Sequence, residues 1–267
     1  MNHGREIEQS SILKEYKKIV SVVEDELRDL LKNHDVGGHG MDHMLAVASH
    51  TEKALEHELL PKHTKLQVYL AALLHDADDP KIFKNSNNYN NARDILERSI
   101  TLSNTRGFYY LEYNKCSECL DHVDLYRNTY INSIISMIDL VSCSKNGDSD
   151  PPVPWMAIPR DSDRLEAAGE IGIERCLQVT KHFGSPHHTP DTPRVYTEEE
   201  LWKVATPERF TNYKKSVSMI DHYYDKLLHI VAPERLKSKN VYILKEAERR
   251  NKIMIDYVLN YWNSESK

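Results

Sequence analysis

The sequence predicts an all-α protein built as one helical bundle, and three observations predict it. Glycine is scarce, 9 among 267 residues, while Leu, Glu, Lys and Ala run densely through the chain; that balance favours helix over a many-turned β architecture. Apolar residues recur at three- and four-residue steps over long stretches, the signature of helices with one buried face. Strand-type alternation never persists, and "RVYT" at 194–197 is the one place for a short strand.

Each element follows in order. Residues 7–32 place Ile12, Ile19, Val20, Val23, Leu27, Leu30 and Leu31 on one helical face. "DVGGHG" at 35–40 breaks that pattern. A second helix is expected over 42–59, with Leu45, Ala48 and Leu55 inward and Pro61 as its stop signal. A third is expected over 65–75, running apolar into "LLHDADDP". "NNYNNARDILERSI" reads as a polar loop leading into a helix near 91–103, and 128–143 is helical by period. "SKNGDSDPPVPW" is a loop, after which "IPRDSDRLEAAGEIGIERCLQV" resumes as a helix. Residues 184–198, rich in Pro, Gly, Ser, Thr and His, are expected as an exposed excursion. Residues 206–262 read as two helices, the first carrying Tyr213, Val217, Ile220, Tyr223, Tyr224 and Leu227, the second Ile243, Ala247, Ile253, Tyr257 and Tyr261. The expected organisation is a single domain: an N-terminal helix (1–34), a core (35–183), an irregular loop (184–205) and C-terminal helices packed on the core (206–262).

Composition excludes several function classes. Forty per cent hydrophobic residues suffice for a sizeable core, and a net charge of −6 gives no electrostatic footprint for duplex nucleic acid. The basic run "EAERRNK" at 246–252 alternates with acids at helical spacing and is expected to be a solvated helix face. Cys116 and Cys119 form a C-x-x-C without the second pair that a zinc ribbon requires, and with Cys143 and Cys176 the usage suits a reducing compartment. Neither an apolar leader nor a membrane span is expected, so the protein is placed in the cytoplasm.

The chemistry starts where the third helix ends. His75, Asp76, Asp78 and Asp79 arrive together at the end of a buried apolar run, and burying charge without a partner is costly. Upstream, His39 and His43 lie four apart, with His43 at the start of the second helix. Two helices joined by a short turn are antiparallel neighbours, so the start of one lies beside the end of the other. His43 is therefore expected to approach His75 and Asp76. Asp161 or Asp163, at the start of a later helix, can supply a further oxygen ligand. Two imidazoles and two carboxylates with open water positions suit Mn, Mg or Fe better than a closed structural zinc.

The segments "GHGMDHMLAVA", "LAALLHDADDPKIF" and "RDSDRLEAAGEIGIER", with the tail "IDHYYDKLLHI" and the charged helix after it, resemble the HD-domain metal-dependent phosphohydrolase superfamily. They are most similar to its YpgQ/YedJ-like nucleotide phosphohydrolase branch, and the resemblance spans roughly 35–262. It implies a helical HD-domain bundle holding one divalent ion, Mn²⁺ first, with Mg²⁺, Fe²⁺, Co²⁺ or Ni²⁺ as others. The ligands it implies are His43, His75, Asp76 and Asp161, Asp161 being the first Asp of the "D-x-D-R-L" element. Lys81 and Lys145 become the expected phosphate contacts. Arg164 is either a third or a structural partner of Asp163 or Asp79. Asp79 and His39 are candidates for proton handling or ligand orientation. The implied reaction is attack of a metal-bound water on a nucleoside triphosphate, giving the monophosphate and pyrophosphate. A nucleotidase, a cyclic or oligonucleotide phosphodiesterase, and a non-catalytic nucleotide sensor are the rivals. The partner is thus a small nucleotide, and the Tyr-rich late helices are either core or a homodimer face.

Overall fold

The computed structural model describes residues 16–32, 34, 40–80, 82–101, 104–108, 120–142, 146–212 and 214–265. Among these residues there is helix and loop but no strand, so the all-α expectation holds and "RVYT" is irregular. No described helix is long and apolar enough to cross a membrane. The described residues fall into two compact units: those of Met1–Met44 with Leu59–Ile138, and those of Leu45–Glu58 with Asp139–Lys267.

In the first unit, α1 (Lys17–Leu31) buries Ile19, Val20, Val23, Leu27 and Leu31 of the expected stripe, while Leu30 is half-buried and Ile12 lies outside the described residues. The first turn of α2 (Met41–Leu55) belongs here, and α3 (Lys62–Leu73) follows, with Pro61 as its N-cap. Helix α3 buries Leu66, Val68, Tyr69 and Leu70 to Leu73. A helix apolar on every side belongs in a core rather than on a surface. Two bonds tie it to α5 (Leu120–Val141): Tyr130 Oη donates to the His63 carbonyl at 2.6 Å, and Gln67 donates to the Tyr130 carbonyl at 3.1 Å. Helix α4 (Asn90–Ser99) packs on α1, where Arg98 donates to Glu26 at 3.0 Å. Its C-terminal carbonyls are met by Arg127, which donates to Ile100 O at 2.8 Å and also reaches Glu97 O; a guanidinium there satisfies orphan acceptors and complements the helix dipole.

The second unit holds the rest of α2, α6 (Ile158–Glu166), α7 (Gly169–Phe183), α8 (Glu198–Val204), α9 (Pro207–Thr211), α10 (Met219–His222), a π-helical stretch Tyr223–Leu227, α11 (Leu228–Ile230) and α12 (Val241–Glu265). Three expectations change here. The helix expected from Ile158 onward is two helices, because Gly169 takes φ +72° and turns the chain after Ala167 and Ala168. The first late helix is a set of short pieces, with Val217 exposed between α9 and α10 and Tyr223 and Tyr224 buried within the π-helical stretch. The 184–198 loop is pinned rather than free. Thr192 and Val195 are buried, Thr192 donates to Asp221 at 2.7 Å, and the Pro186 and His187 carbonyls accept from Met219 and Ile220. Helix α12 packs against α7 and α6, burying Ile243, Ala247, Met254, Val258 and Trp262.

Candidate metal centre

Helix α3 ends at Leu73, and Leu74 closes its last bond to Leu70. His75 and Asp76 then lie in the turn just past a buried helix end, each about nine-tenths buried. The His75 Nδ1 lies 2.8 Å from the Ala72 carbonyl. A carbonyl only accepts, so in the neutral ring Nδ1 carries the proton and Nε2 presents its lone pair. That lone pair faces Asp76 Oδ2 at 3.3 Å, and His43 Nε2 approaches the same oxygen at 3.8 Å. The two imidazoles stand edge to face, with centroids 5.2 Å apart. His43 sits in the first turn of α2, as the sequence predicts.

Three acceptors drawn together in one buried place repel one another unless a cation or a proton stands among them. The 3.3 Å separation matches a metal's ligand shell, and the 3.8 Å one is a few tenths of an ångström wider. An ion about 2.1 Å from each ligand holds neighbours about 3.0 Å apart in an octahedron and about 3.4 Å apart in a tetrahedron. A ligating histidine also characteristically donates its other N–H to a backbone carbonyl, which fixes the tautomer and the ring; His75 does this.

The remaining acids of the "HDADD" segment do different work. Asp78 accepts from the backbone N–H groups of Asn91 at 3.0 Å and Ala92 at 2.9 Å, and also from Ser86 Oγ. It therefore caps α4 from outside that helix, where a carboxylate satisfies orphan donors and meets the positive end of the dipole. Asp79 is half-buried in the turn and gives its carbonyl to Ile82 and Phe83. Beyond it lies a cavity of about 410 Å³ lined by His34, Phe83, Lys84, Asn85, Asn90 and Asn91 among others. The His34 and Phe83 rings meet at 4.6 Å.

In the second unit, Asp161 and Asp163 occupy α6 in different surroundings. Asp161 is fully buried, with Oδ2 accepting from the Ser238 N–H at 2.7 Å. Burial raises its carboxyl pKa, opposed by the Ser238 bonds and by Arg164 and Arg160. Asp163 is only half-buried. Arg164 donates to the Arg235 carbonyl at 2.7 Å, the Gly147 carbonyl at 3.0 Å and Asp148 at 2.9 Å. Asp148 also pairs with Arg235. Arg164 is thus a buried staple with Asp148 as its carboxylate partner. The expected residues His39, Lys81 and Lys145, and the Cys116–Cys119 pair, lie outside the described residues.

Arg250 was missed as an internal residue. The run "EAERRNK" is not wholly a solvated face: the Arg250 side chain is 9% exposed and Arg249 53%. The available signal is its place in the stripe Ile243, Ala247, Arg250, Met254, Val258, where an arginine stands in an apolar frame.

No family model matches the chain. It is 48% identical to Uncharacterized protein L803 of Acanthamoeba polyphaga mimivirus over 238 residues, 88% of this chain and 93% of that protein. Among solved structures, a Lactobacillus plantarum protein aligns at TM-score 0.55 and 22% identity, over 94% of this chain and 97% of its own. An HD-superfamily hydrolase from Bacillus thuringiensis aligns at TM-score 0.54 and 20% identity, over 96% and 98% of the two chains. Bacillus subtilis YpgQ in complex with ADP aligns at 0.50 and 18% identity, over 96% and 97%. These likenesses establish the fold as that of an HD-domain protein of the YpgQ type.

Proposed function

We propose that this chain, which belongs to the family of the mimivirus protein L803 and has the HD-domain fold, is a metal-dependent phosphohydrolase acting on nucleotides. The observation that carries the reading is the convergence of His43, His75 and Asp76 acceptors at 3.3 and 3.8 Å, with His75 held in the ligating tautomer by Ala72. The ligands assigned in this reading are His43, His75 and Asp76, with Asp163 assigned as the fourth. Asp163 is assigned in the place first expected for Asp161, because Asp161 is fully buried with its Oδ2 taken up by the Ser238 N–H, whereas Asp163 is only half-buried. Imidazole with carboxylate and open positions suits Mn²⁺. A divalent cation there acidifies water and withdraws charge from a phosphoryl oxygen.

The chain's own residues supply the rest. The Ala72 carbonyl orients His75, and Asp76 balances the cation's charge. Asp79 and His39 are assigned to proton handling, and Lys81 and Lys145 to the phosphate chain. The cavity beside Lys84, with asparagine amides and the His34 and Phe83 rings, offers hydrogen bonds and aromatic surface of the kind a nucleobase takes up. The ADP bound to YpgQ favours a nucleotide substrate. The specific reaction is hydrolysis of a nucleoside triphosphate to monophosphate and pyrophosphate. Oxygen from water bonds to the α-phosphorus, the bond to the bridging oxygen breaks, and the water's proton is released.

A nucleotide panel with Mn²⁺, separated by anion exchange, tests this. Pyrophosphate with the matching monophosphate is the expected outcome. Orthophosphate alone would replace it with a nucleotidase. No product from any nucleotide, at full metal occupancy, would refute the reading.

A further inference from the structure

A buried ionic network in the second unit does work that helix packing alone does not require. Glu166 at the end of α6, His50 in α2 and Arg250 in α12 are each less than a tenth exposed. His50 Nε2 lies 3.0 Å from Glu166 Oε1 and 2.9 Å from Arg250 Nη2. Its Nδ1 lies 2.7 Å from Tyr242 Oη. Arg250 donates to Glu166 at 3.2 Å and to the Leu165 and Ala168 carbonyls at 2.6 and 3.3 Å, where α6 ends. Its Nε reaches Glu246 at 2.8 Å. A second bond, Thr51 to Ser162 at 3.0 Å, joins α2 and α6 beside the first. Even the turn after α6 is shaped to this arginine: a Cβ on Gly169 would lie 2.9 Å from Arg250 Cγ.

The positions matter. His43 and His50 are seven apart on α2, which returns them to nearly the same face, and Asp163 and Glu166 are three apart on α6. His50 and Glu166 thus sit on the ligand-bearing sides of α2 and α6, and Arg250 and Tyr242 reach them from α12. Buried charges cost desolvation energy, and a well-packed apolar set can often replace them without loss of stability. What an apolar set cannot supply is directional bonding that fixes each helix's rotation about its axis.

We propose that Arg250, Glu166, His50 and Tyr242 are positioning residues of the metal centre, setting the rotation of α2 and α6 and thereby the geometry of the ligands those helices carry. The inference rests on the ligand assignment above and deepens it. Groups hydrogen-bonded to the ligands themselves typically govern metal affinity over about ten- to a hundredfold when removed, and this network acts on the ligands through the helices that carry them.

The test is Mn²⁺ affinity of the full chain by calorimetry, at a temperature where the metal-free protein is fully folded. Glu166→Gln and Arg250→Met are expected to weaken Mn²⁺ binding by about tenfold or more, and Arg250→Lys to recover part of it. Tyr242→Phe, which deletes one hydroxyl at the network's edge, is expected to weaken binding by a smaller factor. It is the variant that decides if the others fail to fold. Binding within twofold of wild type in every folded variant would overturn the proposal and leave the network a stability element. Failure of wild type to bind any divalent ion would instead sink the metal assignment itself, so the two failures are distinguishable.

Discussion

Arg250→Met gives the sharpest prediction about stability. The substitution keeps most of the volume and apolar stem but removes five hydrogen bonds, to Glu166, His50, Glu246 and the Leu165 and Ala168 carbonyls. Glu166, with its side chain 4% exposed, would keep its charge without its cation. Breaking one side of a buried pair costs about 3–5 kcal/mol. At about 2–4 °C per kcal/mol for chains of this size, the melting point of the metal-free protein should fall by about 6–20 °C. The double variant Arg250→Met with Glu166→Leu removes both charges and should recover at least about 2 kcal/mol of that loss. Urea unfolding in the presence of chelator, on wild type, both single variants and the double variant, closes the cycle. A single variant costing under about 1 kcal/mol, the range of an exposed pair, would refute the reasoning. So would a double variant as unstable as the sum of its parts.

Three further outcomes follow from named contacts. Asp78→Ala should destabilise the chain by about 0.5–2 kcal/mol, seen in urea melts, because α4 loses the acceptor for its Asn91 and Ala92 N–H groups. His222 is held by burial, and by Lys226, down at about 4 from its usual 6.5. Its folded value is the lower one, so its contribution is complete above the unfolded 6.5 and declines as pH falls towards 4. The loss is at most about 3 kcal/mol, and His222→Gln should flatten that part of the stability–pH curve. Lys84→Ala should raise KM for the nucleotide about tenfold with kcat nearly unchanged, since it removes a uniform binding contact; an unchanged KM would exclude the cavity as part of the substrate site.

Much of the fold was legible because its helices bury one face. The stripe of α1, the all-round apolar α3 and the start of α2 at His43 follow directly from residue spacing. The breaks were less legible. Gly169 stands at the fourth position of "EAAGEIG", where helix propensity is otherwise high, and its left-handed φ and the Arg250 stem against it are features of the folded chain. The short pieces between Thr206 and Ile230 carry helical periodicity but are set by caps such as Ser218 accepting from Asp221. The 184–198 loop has loop composition, and nothing local in it announces that Thr192 bonds to Asp221. The site divided the same way. His75 and Asp76 stand out because polar residues end an apolar run, whereas the choice between Asp161 and Asp163 depends on Ser238, more than seventy residues away. Arg250 reads as a surface charge because its four-residue spacing from Glu246 is the same in a buried pair as in an exposed one.

The central claim is one divalent cation held by His43, His75, Asp76 and Asp163. Mn²⁺ titration followed by electron paramagnetic resonance tests it most directly, on wild type and on Asp76→Ala, Asp163→Ala and Asp161→Asn. One bound ion per wild-type chain is predicted, with binding abolished by the first two substitutions and retained in Asp161→Asn. Binding unaffected by Asp76→Ala, or lost in Asp161→Asn while Asp163→Ala still binds, would contradict the account.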